Sequence, residues 1–226
     1  MTSSDAVKLQ TSSQRRRERE RQALTERILD AAREMFVRDG YEAVTLQRIA
    51  EAVEYTPGAI YQYFKDKRAL VMAIIRADYL DIRDTLIGCR EIPDPIERLM
   101  TMAKLYAAWG VAHPNHYRLM TCPPPAWVQS GQELREDENP PIEEDILYLL
   151  GGFVADAMET GRVREEYNNP GLVAATLWAG IHGTVHQEIT LDETARNLLG
   201  SAGLDFETRL NTMIQVFVSG FLKPAA

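Results

Sequence analysis

Two short helical patterns separated by a tight break lie between residues 45 and 67, and each begins with a threonine. Thr45 is placed to cap the first pattern, because its hydroxyl can accept an N–H of the opening helical turn. Thr56 is placed to cap the second, and Pro57 follows at the first helical position, where no N–H is needed. The spacing therefore predicts two short helices joined by a tight turn.

The second of these helices has a distinctive surface. Gly58 and Ala59 are small enough to let the backbone approach another molecule closely. They are followed by side chains with an apolar body and a hydrogen-bonding tip, namely Tyr61, Gln62 and Tyr63. Three adjacent helical residues cannot all point inward, so at least one stays exposed. A helix-turn-helix that inserts its second helix into the DNA major groove needs this combination, and the pattern predicts one here.

Further residues extend this pattern in both directions, from position 26 to position 70. They are Glu26-Arg27-Ile28-Leu29-Asp30-Ala31-Ala32, Phe36, Gly40-Tyr41, Thr45, Ile49-Ala50, Pro57-Gly58-Ala59-Ile60-Tyr61, Phe64, Lys67 and Leu70. In this order and without gaps, they resemble the DNA-binding domain of TetR-family transcriptional regulators. Glu54 departs from the resemblance, because the family usually has a turn glycine there, and Tyr55 replaces a common small aliphatic residue. If position 54 needs a positive φ, Glu54 costs roughly 1 kcal/mol of strain.

The predicted DNA-binding residues follow from this placement. They are Thr45, Gln47, Arg48, Thr56, Pro57, Gly58, Ala59, Tyr61, Gln62, Tyr63 and Lys67. Gln62 is the expected base-reading residue, since its amide can pair with adenine in a bidentate way. Tyr61, Tyr63 and Lys67 are expected at phosphates, together with the two threonines. The alternatives are that Tyr61 partly packs under its helix and that Lys67 is a solvated surface charge.

The uneven charge of the chain limits DNA binding to one end. The net charge is −8, but residues 1–70 contain 13 Lys and Arg against 11 Asp and Glu. Only this part would meet phosphates, and the acidic remainder would stay away from the duplex. Two cysteines indicate no disulfide framework, and the sequence has neither an apolar run long enough to span a membrane nor a signal-peptide core. We expect a cytoplasmic protein with no membrane partner.

Three regions are predicted along the chain. Residues 1–21 are polar and then basic, and we expect a disordered N-terminal arm that follows the phosphate backbone or enters an A·T-rich minor groove. The alternative is a solvated tail whose last residues join the first helix. Residues 22–68 are the predicted helix-turn-helix domain, and residues 69–226 the predicted effector-binding and dimerisation domain.

Helical spacing of apolar residues continues to the C-terminus, and strand alternation is absent, so the fold class is all-α. Glycine or proline bounds most of the predicted helices. They cover 22–38, 66–89, 95–113, 115–121, 141–160, 171–190 and 206–222. The long helix is expected to bury Leu70, Ile74, Ala77 and Leu80, and the residues from Pro123 to Asn139 are expected to form an extended, acidic loop.

A homodimer interface is predicted on the last two long helices. The helix at 206–222 carries a broad apolar stripe, and its own domain could cover only part of it. That stripe consists of Phe206, Leu210, Met213, Ile214, Phe217, Val218 and Phe221. The helix at 171–190 carries small residues that permit close helix packing. The family resemblance also implies that these helices form the dimer interface.

An effector site is expected in the C-terminal domain. The segment Leu177-Trp178-Ala179-Gly180-Ile181-His182-Gly183 resembles the Trp-His-Gly motif of one subclass of C-terminal domains in the family. A mostly apolar small molecule would suit a cavity lined by Met102, Tyr106, Trp109, Met120, Phe153, Trp178 and His182. The alternative for each of these residues is plain core packing.

The resemblance implies a homodimeric, ligand-responsive transcriptional regulator, in most such families a repressor of a palindromic operator. One alternative is a constitutive DNA-binding protein without an effector. Another is a helical metal-dependent hydrolase that uses His182, His186 and Glu188, because histidines at i and i+4 can share a metal. Packed, hydrogen-bonded histidines are the ordinary outcome of such spacing, as for His113 and His116. We therefore predict no metal and no cofactor, and no enzymatic activity.

Overall fold

The computed structural model describes residues 12–121, 146–198 and 203–224, and these residues are all-α. The helices are α1 Ser12–Asp39, α2 Leu46–Ala52, α3 Pro57–Tyr61, α4 Lys67–Ile87, α5 Pro95–Ala112, α6 Pro114–Thr121, α7 Ile146–Glu159, α8 Pro170–Thr190, α9 Glu193–Arg196 and α10 Phe206–Phe221. Extended pairing in these ranges is confined to an isolated bridge between Val163 and Leu222. Within the same ranges, no helix has the length and apolar character needed to cross a membrane. The loop expected from Pro123 to Asn139 lies outside the described residues.

The chain divides into an N-terminal unit, Met1–Arg76, and a larger C-terminal unit, Ala77–Ala226. The N-terminal unit contains the helix-turn-helix, and its predicted core residues are buried. They are Leu46, Ile49, Ala50, Val53, Ile60 and Phe64. The division falls inside α4 instead of at residue 68, because Leu70 and Ile74 of that helix are fully buried within the N-terminal unit.

Helix α1 begins ten residues before the helix that the sequence predicts, at Ser12 instead of Gln22. The expectation of disorder is therefore wrong for residues 12–21, while residues 1–11 lie outside the described part. Residues 12–23 are exposed throughout, so the helix in this stretch depends mainly on interactions between residues close in sequence. Arginine, glutamate and glutamine are good helix formers, and Arg16 Nε lies 2.7 Å from Glu20 Oε1 at the favourable i,i+4 spacing.

Helix α4 begins as predicted, because Asp66 Oδ1 accepts the N–H of Ala69 at 2.7 Å. Its buried face differs from the predicted one. Ala77 and Leu80 are only partly buried, whereas Asp78 and then Ile82 and Leu86 are buried. Asp78 tolerates burial because His116 Nδ1 of α6 lies 3.1 Å from its carboxylate.

The end of α4 passes into a 3-10 turn at Gly88–Glu91. Cys89 in this turn is buried, and its burial raises the pKa of the thiol. A raised pKa lowers the fraction of reactive thiolate, so burial makes this cysteine less reactive. Cys122 lies outside the described residues.

Close packing of three helices organises the C-terminal unit. A Cβ at Gly110 of α5 would lie 2.7 Å from Val185 Cγ1 of α8 and 2.8 Å from Tyr117 Cδ2 of α6. Both distances are shorter than real Cβ contacts, so these helices meet only because residue 110 has no side chain. Helix α7 packs on α5 and α8, and α10 packs on the same two helices.

Side-chain caps fix where the helices of the C-terminal unit begin. Asp94 caps α5, Asn169 caps α8, and Asp205 caps α10. Asp192 caps the short α9, which hydrophobic periodicity alone did not predict. A hydrogen bond from Arg162, followed by the backbone N–H of Glu97, lowers the pKa of Asp94.

Substituting Gly110 with alanine tests the helix contact. The added methyl group must displace Val185 and Tyr117, and we expect a loss of about 2 kcal/mol in the free energy of unfolding. The matched control is G152A, since a Cβ at the exposed Gly152 of α7 meets nothing within 4 Å. That control should gain about 0.5–1 kcal/mol from the better helix propensity of alanine. Denaturant unfolding measures both, and equal stabilities would contradict the proposed close contact.

Candidate nucleic-acid interface and effector region

The helix-turn-helix forms with the capping interactions that the sequence predicts. Thr45 Oγ1 accepts the N–H of Arg48 at 3.2 Å and opens α2. Thr56 Oγ1 accepts the N–H of Ala59 at 3.3 Å and opens α3, with Pro57 as the first helical residue. Each cap satisfies an N–H that has no partner within its own helix, so both helix starts are set by local sequence.

The turn between α2 and α3 contains the backbone strain that the sequence suggested. Glu54 has a φ of 62°, which a glycine would adopt without cost. Two contacts from elsewhere in the unit stabilise the turn. Arg27 of α1 donates from Nη2 to Val53 O at 3.1 Å, and its guanidinium lies 5.9 Å from the Tyr55 ring. The strained residue is therefore flanked by neighbours that α1 holds in place.

Seven of the eleven residues predicted to face DNA are exposed, and they lie in and beside α2 and α3. Tyr61 is 55% exposed, and Gln62 and Gly58 are exposed beside it. Thr45, Gln47, Arg48 and Thr56 are also exposed, whereas Pro57, Ala59, Tyr63 and Lys67 are partly buried. More than half of the Tyr61 side chain is exposed, which argues against the alternative in which it partly packs under its helix. The buried residue of α3 is Ile60.

Lys67 and Arg48 have structural partners that sequence reasoning missed. Lys67 Nζ donates to Tyr41 O at 2.7 Å and to Val44 O at 3.1 Å, and it lies 4.0 Å from the centre of the Tyr41 ring. These contacts close the loop between α1 and α2. Lys67 is therefore not a solvated surface charge, and a contact with phosphate remains a prediction.

Arg48 binds the same loop from the other side. Its Nη1 donates to Ala43 O at 2.7 Å, and its Nη2 lies 2.6 Å from Asp39 Oδ2. Hydrogen bonds from Arg38 and then from Arg48 lower the pKa of Asp39 to about 2. Asp39 is thus ionised at neutral pH and fixes the orientation of the Arg48 guanidinium.

Six of the seven residues predicted around an effector lie in or against the core of the C-terminal unit, and His182 is the seventh. Met102, Tyr106, Trp109 and Phe153 are buried, and Met120, Trp178 and His182 are partly buried. Their hydrogen bonds and ring contacts fall into two groups within this one core. Trp109 donates from Nε1 to Asp81 Oδ2 at 2.6 Å and packs on His113, with ring centres 5.4 Å apart.

The other group is centred on a hydrogen bond between Tyr117 and His182. The Tyr117 hydroxyl lies 2.6 Å from His182 Nδ1, and the Trp178 ring stacks on the imidazole with centres 4.7 Å apart. Tyr106 meets the Tyr117 ring edge-on at 5.9 Å. Burial, and then the nearby His186, lowers the pKa of His182, so its neutral form is favoured. Tyr117 escaped the sequence prediction because nothing in its local pattern distinguishes it from other core residues.

The residues of the hydrolase alternative are engaged elsewhere. The rings of His182 and His186 lie 6.2 Å apart, but the Glu188 carboxylate is paired with Arg209 and lies 3.7 Å from Arg196. Among the described residues, no three His, Cys, Asp or Glu side chains are grouped closely enough to hold a metal ion. His182, His186 and Glu188 are therefore not grouped as metal ligands in this part of the structure.

The apolar stripe predicted to form the dimer surface is only partly exposed in the structure. Leu210, Ile214 and Phe221 of α10 are buried in their own unit, and Gly180 of α8 admits Met213 of α10 at close range. The stripe is therefore covered by its own unit more than the sequence suggested. Leu172 of α8 and Val216 of α10 remain 66% and 69% exposed.

Two family models match the chain. Residues 28–74 match bacterial regulatory proteins of the tetR family, and residues 99–192 match the tetracyclin repressor-like C-terminal domain. An HTH-type transcriptional repressor of Mycobacterium tuberculosis is 41% identical over 87 residues, which cover 34% of this chain and 46% of that protein. The HTH-type repressor AcnR of Corynebacterium efficiens is 39% identical over 59 residues, which cover 26% and 31%. The chain thus spans less than half the length of these curated relatives.

Solved structures share the whole fold. A tetR-family regulatory protein from Rhodococcus RHA1 has a TM-score of 0.68 at 17% identity, over 89% of this chain and 98% of that one. The transcriptional regulator FadR from Bacillus subtilis, solved with stearoyl-CoA, has a TM-score of 0.65 at 21% identity, over 86% and 98%. At these identities the likeness establishes the fold alone.

His182 should make the stability of the protein depend on pH. Its folded-state pKa lies below the ordinary value of 6.5, so the unfolded chain binds the proton more readily. The free energy of unfolding should therefore fall as the pH drops below about 6.5. H182N keeps a hydrogen-bond acceptor for Tyr117 and should lose this part of the dependence, whereas H186N should only reduce it. Unfolding between pH 5 and 8 measures the effect, and identical curves for wild type and H182N would refute it.

Proposed function

We propose that this chain, which belongs to the TetR family of bacterial regulatory proteins, represses transcription as a homodimer on a palindromic operator. The observation that carries the proposal is the exposed edge of α3, where Tyr61 and Gln62 project beside Gly58. Two side-chain caps and the contacts of Arg27 hold that edge in position. A preorganised helix with polar and aromatic tips suits insertion into the major groove.

Within the groove, Gln62 reads a base and its neighbours position the protein. A glutamine amide can donate to and accept from adenine at the same time. Tyr61 and Thr56 contact phosphates, which fix register without selecting sequence. Two such helices in a symmetric dimer would meet half-sites about 34–36 Å apart, one turn of the duplex.

The dimer forms through α8 and α10. The exposed Leu172 and Val216 supply apolar contacts, and Ala175 and Ala179 on the exposed side of α8 allow helices to approach closely. Family membership supports this arrangement, and a twofold axis would match the symmetry of a palindrome. The operator would then be read by two identical recognition helices.

A small, mostly apolar effector releases the operator by binding the C-terminal unit, which we assign to the Trp-His-Gly type. The aromatic group of Tyr106, Tyr117 and Trp178 around His182 supplies apolar surface with few polar atoms, as ligand sites usually do. FadR from Bacillus subtilis, which shares the fold, was solved with stearoyl-CoA. Release requires that the effector bind more tightly to one conformation of the dimer than to another, and that the two conformations differ in the spacing of the recognition helices.

Selection of bound sequences from random DNA tests the proposal directly. The purified protein should enrich a palindromic consensus, which would establish DNA reading and dimer symmetry together. Enrichment of no sequence, or of an asymmetric one, would overturn it. Titrating the selected DNA with and without a cell extract then tests the effector. Equal affinity in both would favour a constitutive DNA-binding protein.

Gln62→Ala should relax sequence preference at one position of each half-site. Losing a bidentate hydrogen bond to adenine should cost about 1–3 kcal/mol of discrimination at that position and little elsewhere. Asn168→Ala is the control, since Asn168 is an exposed residue between α7 and α8 and should leave the consensus unchanged. Repeating the selection with both variants measures the effect. An unchanged preference in Q62A would remove Gln62 from the base-reading role.

The exposed start of α1 offers a second contact with DNA. Arg17 and Arg21 continue the face of α1 that buries Leu24 and Ile28, at spacings of four, three and four residues. Arg21 also lies over the ring of Tyr63, with its guanidinium carbon 5.8 Å from the ring centre. The basic face thus begins beside the recognition helix, where phosphates of bound DNA would lie.

Replacing both arginines should change the salt dependence of DNA binding. R17Q/R21Q should lower the slope of log affinity against log salt by about 1 for each phosphate that the variant no longer neutralises. R15Q/R19Q removes the same charge from the opposite side of the helix and serves as the control. Filter binding between 50 and 300 mM salt measures the slopes. Equal slopes for the two double variants would show that this face does not contact the duplex.

A further inference from the structure

Three arginines from three helices converge on the C-terminal end of α8. Arg118 of α6 donates from Nη2 to Ile189 O. Arg196 of α9 donates from Nη1 to Leu191 O at 2.8 Å and to Glu188 O at 3.2 Å. Arg209, in the first turn of α10, pairs with the carboxylate of Glu188. This arginine cluster, Arg118, Arg196, Arg209 and Glu188, lies wholly within the C-terminal unit.

Helix capping accounts for two of the three arginines. The last carbonyl groups of a helix have no partner within it, and basic side chains commonly satisfy them. Arg118 and Arg196 do so at Ile189 and Glu188. Arg209 donates to no backbone carbonyl of α8, so capping does not explain why a third guanidinium is placed here.

Arg209 is underused as a hydrogen-bond donor. Its side chain is only 10% exposed, and in the described part of the chain its buried Nε and Nη1 have no hydrogen-bond partner. A guanidinium carries five N–H groups, and a buried donor left without a partner costs about 1–3 kcal/mol, more when it is charged. Native structures rarely leave such a group unsatisfied unless something binds to it.

The charge of the cluster also calls for an additional partner. Glu188 is the single acidic member, and it is shared between Arg209 and Arg196, whose Nη1 lies 3.7 Å from the same carboxylate. Asp205 also interacts electrostatically with Arg209, so three arginines stand against two carboxylates and leave an excess of one positive charge. All the ion-paired side chains here are largely withdrawn from water. In such an environment unbalanced charge is more costly than at the surface.

We infer that the arginine cluster binds a small oxyanion, a carboxylate or phosphate group, which accepts from the unused N–H groups of Arg209 and balances the excess charge. Arginine suits both groups, because its planar guanidinium matches their geometry. The oxyanion would tie α6, α9 and α10 to the end of α8. The inference does not depend on DNA binding, so it can fail or hold independently of the proposed repressor function.

Calorimetric titration of the full-length protein with inorganic phosphate, at constant ionic strength, tests the inference. Wild type should bind one phosphate per chain saturably, and R209Q should bind at least tenfold more weakly. R162Q is the matched control, since Arg162 is a half-exposed arginine paired with Asp94 and should bind like wild type. Equal binding by wild type and R209Q would mean an adventitious ion only, and would overturn the inference. Absence of saturable binding to wild type would overturn it as well.

E188Q keeps the inference testable if R209Q does not fold. Removing the carboxylate frees Arg209 and abolishes the repulsion of an incoming anion, so phosphate should bind E188Q at least tenfold more tightly than wild type. If the ion pair between Glu188 and Arg209 were purely structural, E188Q should be less stable and should bind phosphate with unchanged affinity. That result would overturn the inference. Circular dichroism of each variant reports its folding.

Acetate and octanoate distinguish an oxyanion that belongs to a larger effector from a free inorganic or metabolic anion. Both carry the same carboxylate, but only octanoate has an apolar chain. Much tighter binding of octanoate, lost in R209Q, would identify the acidic group of a larger effector. Equal binding of octanoate, acetate and phosphate would identify a free inorganic or metabolic anion. Both results support the site, whereas octanoate binding that is unaffected by R209Q would place the carboxylate elsewhere and count against it.

Discussion

The C-terminal unit depends on the missing side chain at Gly110. Because no methyl group fits between α5 and its neighbours Val185 and Tyr117, three helices pack more closely here than any residue other than glycine would allow. This contact fixes the Tyr117 ring, and through it the hydrogen bond to His182 and the stack of Trp178. A polar pair thereby stays ordered inside an otherwise apolar core, where a looser arrangement would leave the hydroxyl or the imidazole without a partner.

The DNA-binding half of the structure follows closely from its sequence, because its determinants are local. Thr45 and Thr56 cap residues within three positions, and Pro57 restricts a single φ. Even the strain at Glu54 could be predicted, because a turn position that usually holds glycine is expected to have a positive φ. Apolar spacing likewise gave most helices of the C-terminal unit to within a few residues.

Contacts that span long stretches of sequence were not predictable in this way. Lys67 and Arg48 look like free surface cations in the sequence, but each binds carbonyl groups of the loop before α2. The partnership of Tyr117 with His182 and the convergence of Arg209 on Glu188 depend on how helices pack, which periodicity does not specify. The prediction for the start of α1 was wrong for another reason. The polar, charged composition suggested disorder, but alternating Arg and Glu also favour a helix.

The exposed first turns of α1 have a consequence for thermodynamics. Residues 12–23 form a helix without burying any side chain. The packed remainder of α1 supplies the helix nucleus, so propagation and weak i,i+4 pairs decide how much of this stretch is helical. A partner that needs the helical form sees an apparent dissociation constant equal to the intrinsic one divided by the helical fraction. Warming or added salt lowers that fraction. The measured binding enthalpy would then include the heat of helix formation, and it would vary with temperature even though no apolar surface were buried.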